Sequence, residues 1–128
     1  MLPGPTREPI TGSFLVLVVE DEALLALDLE LTILRHGWRV LGPAGTVEEA
    51  LELLKVETPD VALLDVNLRG TMVTPVAEEL RALGVPFVLA SAYERPEAAA
   101  PALAGVPNLG KPTNERRLLA TLRNALRA

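Results

Sequence analysis

The sequence predicts an α/β fold in which a parallel sheet is covered by helices on both faces. Uninterrupted aliphatic runs alternate with segments of helical periodicity along the chain, as in strand–helix–strand units. The run Val61–Leu64, bounded by turn residues, is typical of a strand buried on both of its faces. A chain of 128 residues with 49% hydrophobic and only 3% aromatic residues suits one domain with an aliphatic core.

The composition excludes several functional classes. A net charge of −5 argues against general nucleic-acid binding. Without cysteine there is no disulfide or thiolate metal site, and a single histidine cannot build a multi-histidine site. No apolar run approaches the ~20 residues of a membrane span, and the proline-rich start lacks a signal-peptide core. We therefore expect a cytoplasmic domain over residues 13–128 behind a flexible tail, residues 1–12, with no nucleic-acid or membrane partner.

The predicted elements follow the order βαβαβαβαβα. Strands are expected at residues 14–19, 39–41, 61–64, 85–90 and 106–109. Helices are expected at residues 22–36, 46–56, 74–83, 94–104 and from 113 or 114 to the end. Thr46 and Glu49 are expected to form a capping box. Thr74 is expected to be an N-cap, with Pro75 as the first helical residue. Residues 67–71 are expected to form a loop. Pro96 and Pro101 should shorten or break the fourth helix. With right-handed crossovers this order gives a doubly wound (βα)5 fold, a five-stranded parallel sheet in three α/β/α layers.

Polar residues follow four of these strands. They are Glu20-Asp21, Asp65, Ser91 and Lys111. The carboxyl ends of parallel strands share one edge of the sheet, where ligands bind in open α/β folds. Each residue alone has an ordinary structural explanation, such as a helix-end acid pair or a turn lysine. Their joint placement predicts a functional site at this edge.

The three acids in this set predict a divalent cation. Each pair of carboxylates about 4 Å apart repels by roughly 4 kcal/mol at an effective dielectric constant near 20. Carboxylate, carbonyl and water oxygens are ligands that Mg²⁺ accepts, and Mn²⁺ is the alternative. Without metal, the group should titrate as a coupled set with at least one raised pKa. With the Ser91 hydroxyl and the Lys111 amine to hold an oxyanion, the set describes phosphoryl transfer onto Asp65.

Four segments carry a resemblance to a known family. They are Val16-Leu17-Val18-Val19-Glu20-Asp21-Glu22, Leu63-Leu64-Asp65-Val66-Asn67-Leu68, Ser91-Ala92 and Lys111-Pro112. Residues 14–127 resemble a response-regulator receiver domain of two-component signalling, which implies a flavodoxin-like fold. The resemblance implies that Asp65 is the phosphoacceptor, with Ser91 and Lys111 contacting the phosphoryl group. It also implies that Glu20, Asp21, Asp65 and the Asn67 carbonyl bind the metal. The implied phosphodonor is the phosphohistidine of a sensor histidine kinase or a phosphotransfer protein.

The chain departs from the family pattern at two places. Arg69-Gly70 stands where many receivers have a proline, and Asn108 stands where they have a switch aromatic. Tyr93 is the candidate substitute for that aromatic, acting with Ser91 as the switch. The segment around it, residues 86–93, is similar to a subgroup of stand-alone receivers with a Phe-Ala-Thr-Gly-like motif. The resemblance also suggests a cis bond at Lys111-Pro112 that holds the lysine in place.

The first predicted helix carries two apolar stripes. In the receiver register Leu25, Leu29 and Ile33 face the sheet. The opposite stripe consists of Leu24, Leu27, Leu31 and Leu34. We interpret it either as a patch for the kinase's helical hairpin or a second copy of this chain, or as a face buried under a neighbouring segment.

Three functions are consistent with the residues. The first is a receiver without an output domain, which acts through a downstream protein or as a phosphate shuttle or sink. The second is an aspartyl-nucleophile phosphatase of the haloacid-dehalogenase type, although there the nucleophile lies on the first strand. The third is a pseudo-receiver that binds partners without phosphorylation, which the retention of all the site residues argues against.

Overall fold

The protein is built on a parallel sheet, and its computed structural model describes residues 13–92, 100–111 and 113–127. In the described part the main sheet has four strands: β1 (Leu15–Val19), β2 (Arg39–Ala44), β3 (Val61–Leu64) and, further along the chain, β6 (Phe87–Leu89). Their order is β2-β1-β3-β6 and every pair is parallel. The helices are α1 (Ala23–Arg35), α2 (Val47–Val56), α3 (Thr74–Leu83) and α4 (Glu115–Arg127). The predicted doubly wound α/β class is confirmed.

The sheet separates two aliphatic cores, because successive side chains of a strand point to opposite faces. On one face Leu15, Leu17 and Val19 pack with residues of α2 and α3. On the other face Val16 and Val18 pack with residues of α1 and α4. The three-layer arrangement therefore follows from β1, β3 and β6, which are apolar and buried at every position.

The predicted fifth strand is reduced to one bridge. Asn108 pairs in parallel with Leu89, Leu89 N donates to Pro107 O at 2.8 Å, and Leu109 N donates to Leu89 O at 2.7 Å. Pro107 has no N–H to extend the ladder, and Gly110 turns the chain at a φ of 76°. The expected five-stranded sheet is thus four strands plus this bridge in the described residues.

The structure differs from the predicted elements in two segments. Strand β2 continues past Leu41 to Ala44. The expected loop after Asp65 contains a hairpin of β4 (Asn67–Leu68) and β5 (Thr71–Met72). Its two central residues, Arg69 and Gly70, have φ values of 54° and 89°, as the twist of a two-residue hairpin requires.

The helix ends largely follow the sequence signals. Glu49 N donates to Thr46 Oγ1 at 3.0 Å, and the Glu49 carboxylate accepts from Gly45 N at 3.0 Å. Asn114 caps α4 through Arg117 N at 3.0 Å. The expected Thr74 cap was wrong, because Thr74 begins α3 and Val73 precedes it without a side-chain cap.

Some predictions lie outside the described residues. These are the tail at residues 1–12 and most of the fourth helix, of which the structure describes a 3-10 turn at Pro101–Leu103. No helix within the described ranges is long and apolar enough to cross a membrane.

Candidate functional site

The register of the sheet places the acids of the site at the edge formed by the carboxyl ends of the strands. Val19, the last residue of β1, lies beside Leu64, the last residue of β3. Glu20 and Asp21 therefore leave β1 next to Asp65, which leaves β3. Asp65 N donates to Val19 O at 2.9 Å, so the two strand ends stay hydrogen-bonded up to the acids.

Glu20, Asp21 and Asp65 form an acidic cluster. One carboxylate oxygen from each lies within 4.8 Å of the others. Glu20 and Asp65 are 3% and 7% exposed, while the Asp21 side chain is 13% exposed. The cluster is thus buried at its base and open to solvent on the Asp21 side.

Lys111 reaches the same cluster from the far end of the chain. Its Nζ lies 2.9 Å from Glu20 Oε1 and 2.9 Å from Asp65 Oδ2. Burial lowers the pKa of Lys111, but its hydrogen bonds to Asp65 and Glu20, and the charge of these carboxylates, raise the pKa above its ordinary value. The lysine is therefore held as a cation between the two buried acids.

The fold changes the ionisation of Glu20. Burial raises the pKa of Glu20, assisted by the charge of Asp65, against hydrogen bonds from Lys111 and from Glu22 N that lower it. The bond from Glu22 N to Glu20 Oε2 is 3.0 Å long and orients the carboxylate. The expectation that at least one acid of the cluster has a raised pKa is met by Glu20.

The described site residues fit a hard divalent cation. The three carboxylates outnumber the cations beside them, Lys111 and Arg69, so a bound cation would offset the remaining negative charge. The ligand atoms that the three acids offer are all oxygens, as Mg²⁺ prefers. The residues that would hold the ion are Glu20, Asp21 and Asp65.

Ser91 and Asn108 are joined at the end of β6. Ser91 is 1% exposed, and Asn108 Oδ1 accepts hydrogen bonds from Ser91 N and Gly110 N, each at 3.1 Å. The side chain of Asn108 thus ties the Ser91 strand end to the segment that leads into Lys111. Sequence reasoning noted Asn108 only as a missing aromatic. The signal for its role was the ability of an asparagine side chain to bridge nearby backbone N–H groups.

Asn67 and Arg69 place the hairpin beside the acids. Asn67 Oδ1 accepts from Gly70 N at 2.6 Å, which fixes the hairpin turn. Arg69 extends back over the cluster, with Nε 3.6 Å from Asp21 Oδ2 and Nη2 3.4 Å from Asp21 O. A cationic guanidinium at the open side of the cluster was not predicted.

Two predicted features lie outside the described residues. Tyr93, the candidate switch partner of Ser91, is one, and the Lys111-Pro112 bond is the other.

A sequence model of the response regulator receiver domain matches residues 16–123. The chain belongs to the receiver domain family. Receiver domains are signalling modules of two-component systems, so the family predicted from the four motifs is confirmed.

Curated relatives of the receiver domain include regulators from several bacteria. The transcriptional regulatory protein PdtaR of Mycobacterium tuberculosis is 32% identical over 81 residues, which are 62% of this chain and 40% of PdtaR. The sensory transduction protein LytT of Bacillus cereus is 32% identical over 111 residues, which are 84% of this chain and 45% of LytT. The chain therefore spans less than half the length of these relatives.

Solved structures share the fold at full domain length. The receiver domain of PhyR from Erythrobacter litoralis has a TM-score of 0.81 and 28% identity, covering 89% of this chain and 90% of that one. The receiver domain of a diguanylate cyclase from Desulfovibrio desulfuricans has a TM-score of 0.79 and 28% identity, covering 90% and 94%.

Proposed function

We propose that Asp65 accepts a phosphoryl group from the phosphohistidine of a sensor histidine kinase or a phosphotransfer protein. The observation that supports this proposal is the position of Asp65, which lies in one acidic cluster with Glu20 and Asp21 and has its Oδ2 2.9 Å from Nζ of Lys111. Glu20, Asp21 and Asp65 would hold Mg²⁺ (or Mn²⁺), and the bound ion would offset the negative charge of the phosphoryl oxygens beside these acids.

The protein's own groups then perform the transfer. An Asp65 carboxylate oxygen attacks phosphorus while the bond from phosphorus to the donor imidazole breaks, and its electron pair stays on the imidazole nitrogen. Lys111, held as a cation beside Asp65, offsets negative charge that gathers on the phosphoryl oxygens. Ser91 follows the neighbouring strand, and we assign its hydroxyl to a phosphoryl oxygen after transfer.

The proposed role is signalling rather than repeated turnover of substrates. Asp65 phosphate forms once per signal and is lost by transfer to water or to another protein. Because the donor's phosphohistidine is made from ATP, we place this exchange in the cytoplasm. We also propose that the phosphorylated domain acts on a downstream protein, because the acidic chain lacks a basic nucleic-acid footprint.

Labelling by acetyl phosphate tests this proposal. The chain is incubated with acetyl phosphate and Mg²⁺, and its intact mass is measured. We expect a gain of one phosphoryl group per chain, which chelation of Mg²⁺ prevents and Asp65→Asn abolishes. Sustained hydrolysis of p-nitrophenyl phosphate by the wild type would favour a phosphatase instead. A folded, Mg²⁺-binding chain that takes up no phosphoryl group would favour a pseudo-receiver.

A further inference from the structure

The side chain of Asn108 continues the hydrogen bonding of β6 at the point where the backbone ladder ends. Leu109 N donates to Leu89 O, and the next bond of a regular parallel ladder would run from Ser91 N to Leu109 O. Gly110 turns the chain at this point, and Ser91 N donates instead to Asn108 Oδ1 at 3.1 Å. The Asn108 amide oxygen thus takes the ladder position of a backbone carbonyl.

The same oxygen also holds the turn that precedes Lys111. Gly110 N donates to Asn108 Oδ1 at 3.1 Å, and Lys111 is the next residue of the chain. Lys111 Nζ in turn lies 2.9 Å from Asp65 Oδ2. One side-chain atom therefore ties the backbone of Ser91 to the backbone beside Lys111, and these are the two residues that we assign to the phosphoryl group.

The main chain of Asn108 is itself anchored on two sides. Asn108 is bridged to Leu89 of β6, and its carbonyl oxygen lies 3.5 Å from Nη2 of Arg117 in α4. A residue that is held by both a strand and a helix can keep its hydrogen-bond partners in one geometry.

The acids of the cluster are positioned by other contacts. Glu20 and Asp21 follow β1, and Asp65 N donates to Val19 O of β1 at 2.9 Å. In the sheet order, β1 lies on the opposite side of β3 from β6. A change at Asn108 should therefore leave the metal-binding acids in place.

We propose that Asn108 is a positioning residue for phosphoryl transfer to Asp65. Its amide oxygen keeps the strand end that carries Ser91 and the turn that carries Lys111 at one spacing, so that hydroxyl and amine meet the phosphoryl oxygens together. This inference rests on the proposed function. An asparagine suits the role, because its oxygen accepts two N–H bonds and adds no negative charge beside the acids.

The rate of phosphoryl uptake in variants of similar shape tests the role of Asn108. Uptake from acetyl phosphate with Mg²⁺ is followed over time by intact mass. Asn108→Leu removes the acceptor and should slow uptake about tenfold or more, because the groups that offset phosphoryl charge lose their placement. Asn108→Asp keeps an oxygen that can accept both N–H bonds and should recover most of that loss. Amide hydrogen exchange at Ser91 and Gly110 should be faster in Asn108→Leu and should stay slow in Asn108→Asp.

Two further measurements separate positioning from a general loss of structure. Mg²⁺ affinity, measured by calorimetry, should not fall in Asn108→Leu, because β1 and β3 hold the acids. Asp60→Leu is the matched control, since Asp60 Oδ2 accepts from Leu15 N at 2.8 Å, at the opposite end of the strands. This control should lower the melting temperature and leave the rate of uptake unchanged. Circular dichroism establishes that each variant is folded.

The outcomes distinguish this inference from the proposed function. A wild type that takes up no phosphoryl group overturns the proposed function, and the role of Asn108 with it. If the wild type is labelled and folded Asn108→Leu is labelled equally fast, the role of Asn108 alone is overturned. It is overturned as well if Asn108→Asp is as slow as Asn108→Leu, or if folded Asp60→Leu slows uptake to the same extent.

Discussion

Removing one charge from the acidic cluster should stabilise the metal-free protein. The variant is Asp21→Asn, which keeps the shape of the side chain and removes its negative charge. The carboxylate oxygens of the cluster lie within 4.8 Å of one another. Two unit charges of the same sign at that distance repel by about 3.5 kcal/mol at an effective dielectric constant of about 20.

Part of that repulsion is already relieved in the folded protein. Lys111 offsets charge on Glu20 and Asp65, and the Asp21 side chain keeps 13% of its surface in water. The ion pair that Asp21 loses with Arg69 is worth little, because the Arg69 side chain is 79% exposed. We therefore expect a net gain of about 1–2 kcal/mol in the free energy of unfolding, or about 4–8 °C in melting temperature.

Urea unfolding with and without Mg²⁺ measures this effect. In a chelator, Asp21→Asn should unfold at higher urea than the wild type. At a Mg²⁺ concentration 100 times its dissociation constant, the wild type should gain about 2.7 kcal/mol, and the variant much less. Glu22→Gln is the matched control, since it removes the same charge one residue further along, outside the cluster. The reasoning is refuted if Asp21→Asn lowers stability in the chelator, or if it keeps the full response to Mg²⁺.

Three further predictions concern the same cluster. Mg²⁺ affinity, measured by calorimetry, should fall on acidification, and the fall should begin at a higher pH than it would with a glutamate of ordinary pKa. The reason is the raised pKa of Glu20, which lets a proton compete with the metal for this carboxylate. An affinity that stays constant from pH 7 to pH 5 would contradict this. Lys111→Met should lower metal-free stability by about 1–3 kcal/mol, because it leaves two buried acids without their cation. Since the folded pKa of Lys111 is raised, its stabilisation should be complete below its ordinary pKa and be lost as pH rises through the folded value; equal alkaline unfolding of wild type and variant would count against the ion pairs. Arg69→Ala should raise Mg²⁺ affinity a few-fold, because the guanidinium contacts Asp21; Arg69→Lys, which keeps the charge, should have a smaller effect, and unchanged affinity in Arg69→Ala would rule out competition.

The fold and the meeting of the acids with the lysine could be read from the sequence. Both depend on β1 and β3, which are apolar at every position and therefore indicate a parallel sheet. They also depend on the polar residues that directly follow these strands. Parallel strands then bring Glu20 and Asp65 together however far apart they lie in the chain. This inference needs no knowledge of side-chain conformations.

The remaining features depend on short-range geometry that residue patterns do not reveal. Arg69 adopts a positive φ, which is uncommon for a residue with a side chain. Because glycine or asparagine usually marks the first position of such a turn, the sequence did not indicate the hairpin that places Arg69 beside Asp21. The fifth strand ended at one bridge because Pro107 cannot donate, although the apolar residues around it favoured a strand. In the sequence, Asn108 was noted only because it stands where related domains have an aromatic residue. Its hydrogen bonds to two backbone N–H groups depend on how closely β6 approaches the segment that leads to Lys111.

The position of the phosphoryl group within the chain tests the central claim most directly. After reaction with acetyl phosphate and Mg²⁺, borohydride reduction marks an acyl phosphate permanently, and peptide mass spectrometry locates the marked residue. The account predicts one marked residue per chain, at Asp65. A mark at Glu20, Asp21 or any other residue in place of Asp65 would contradict it.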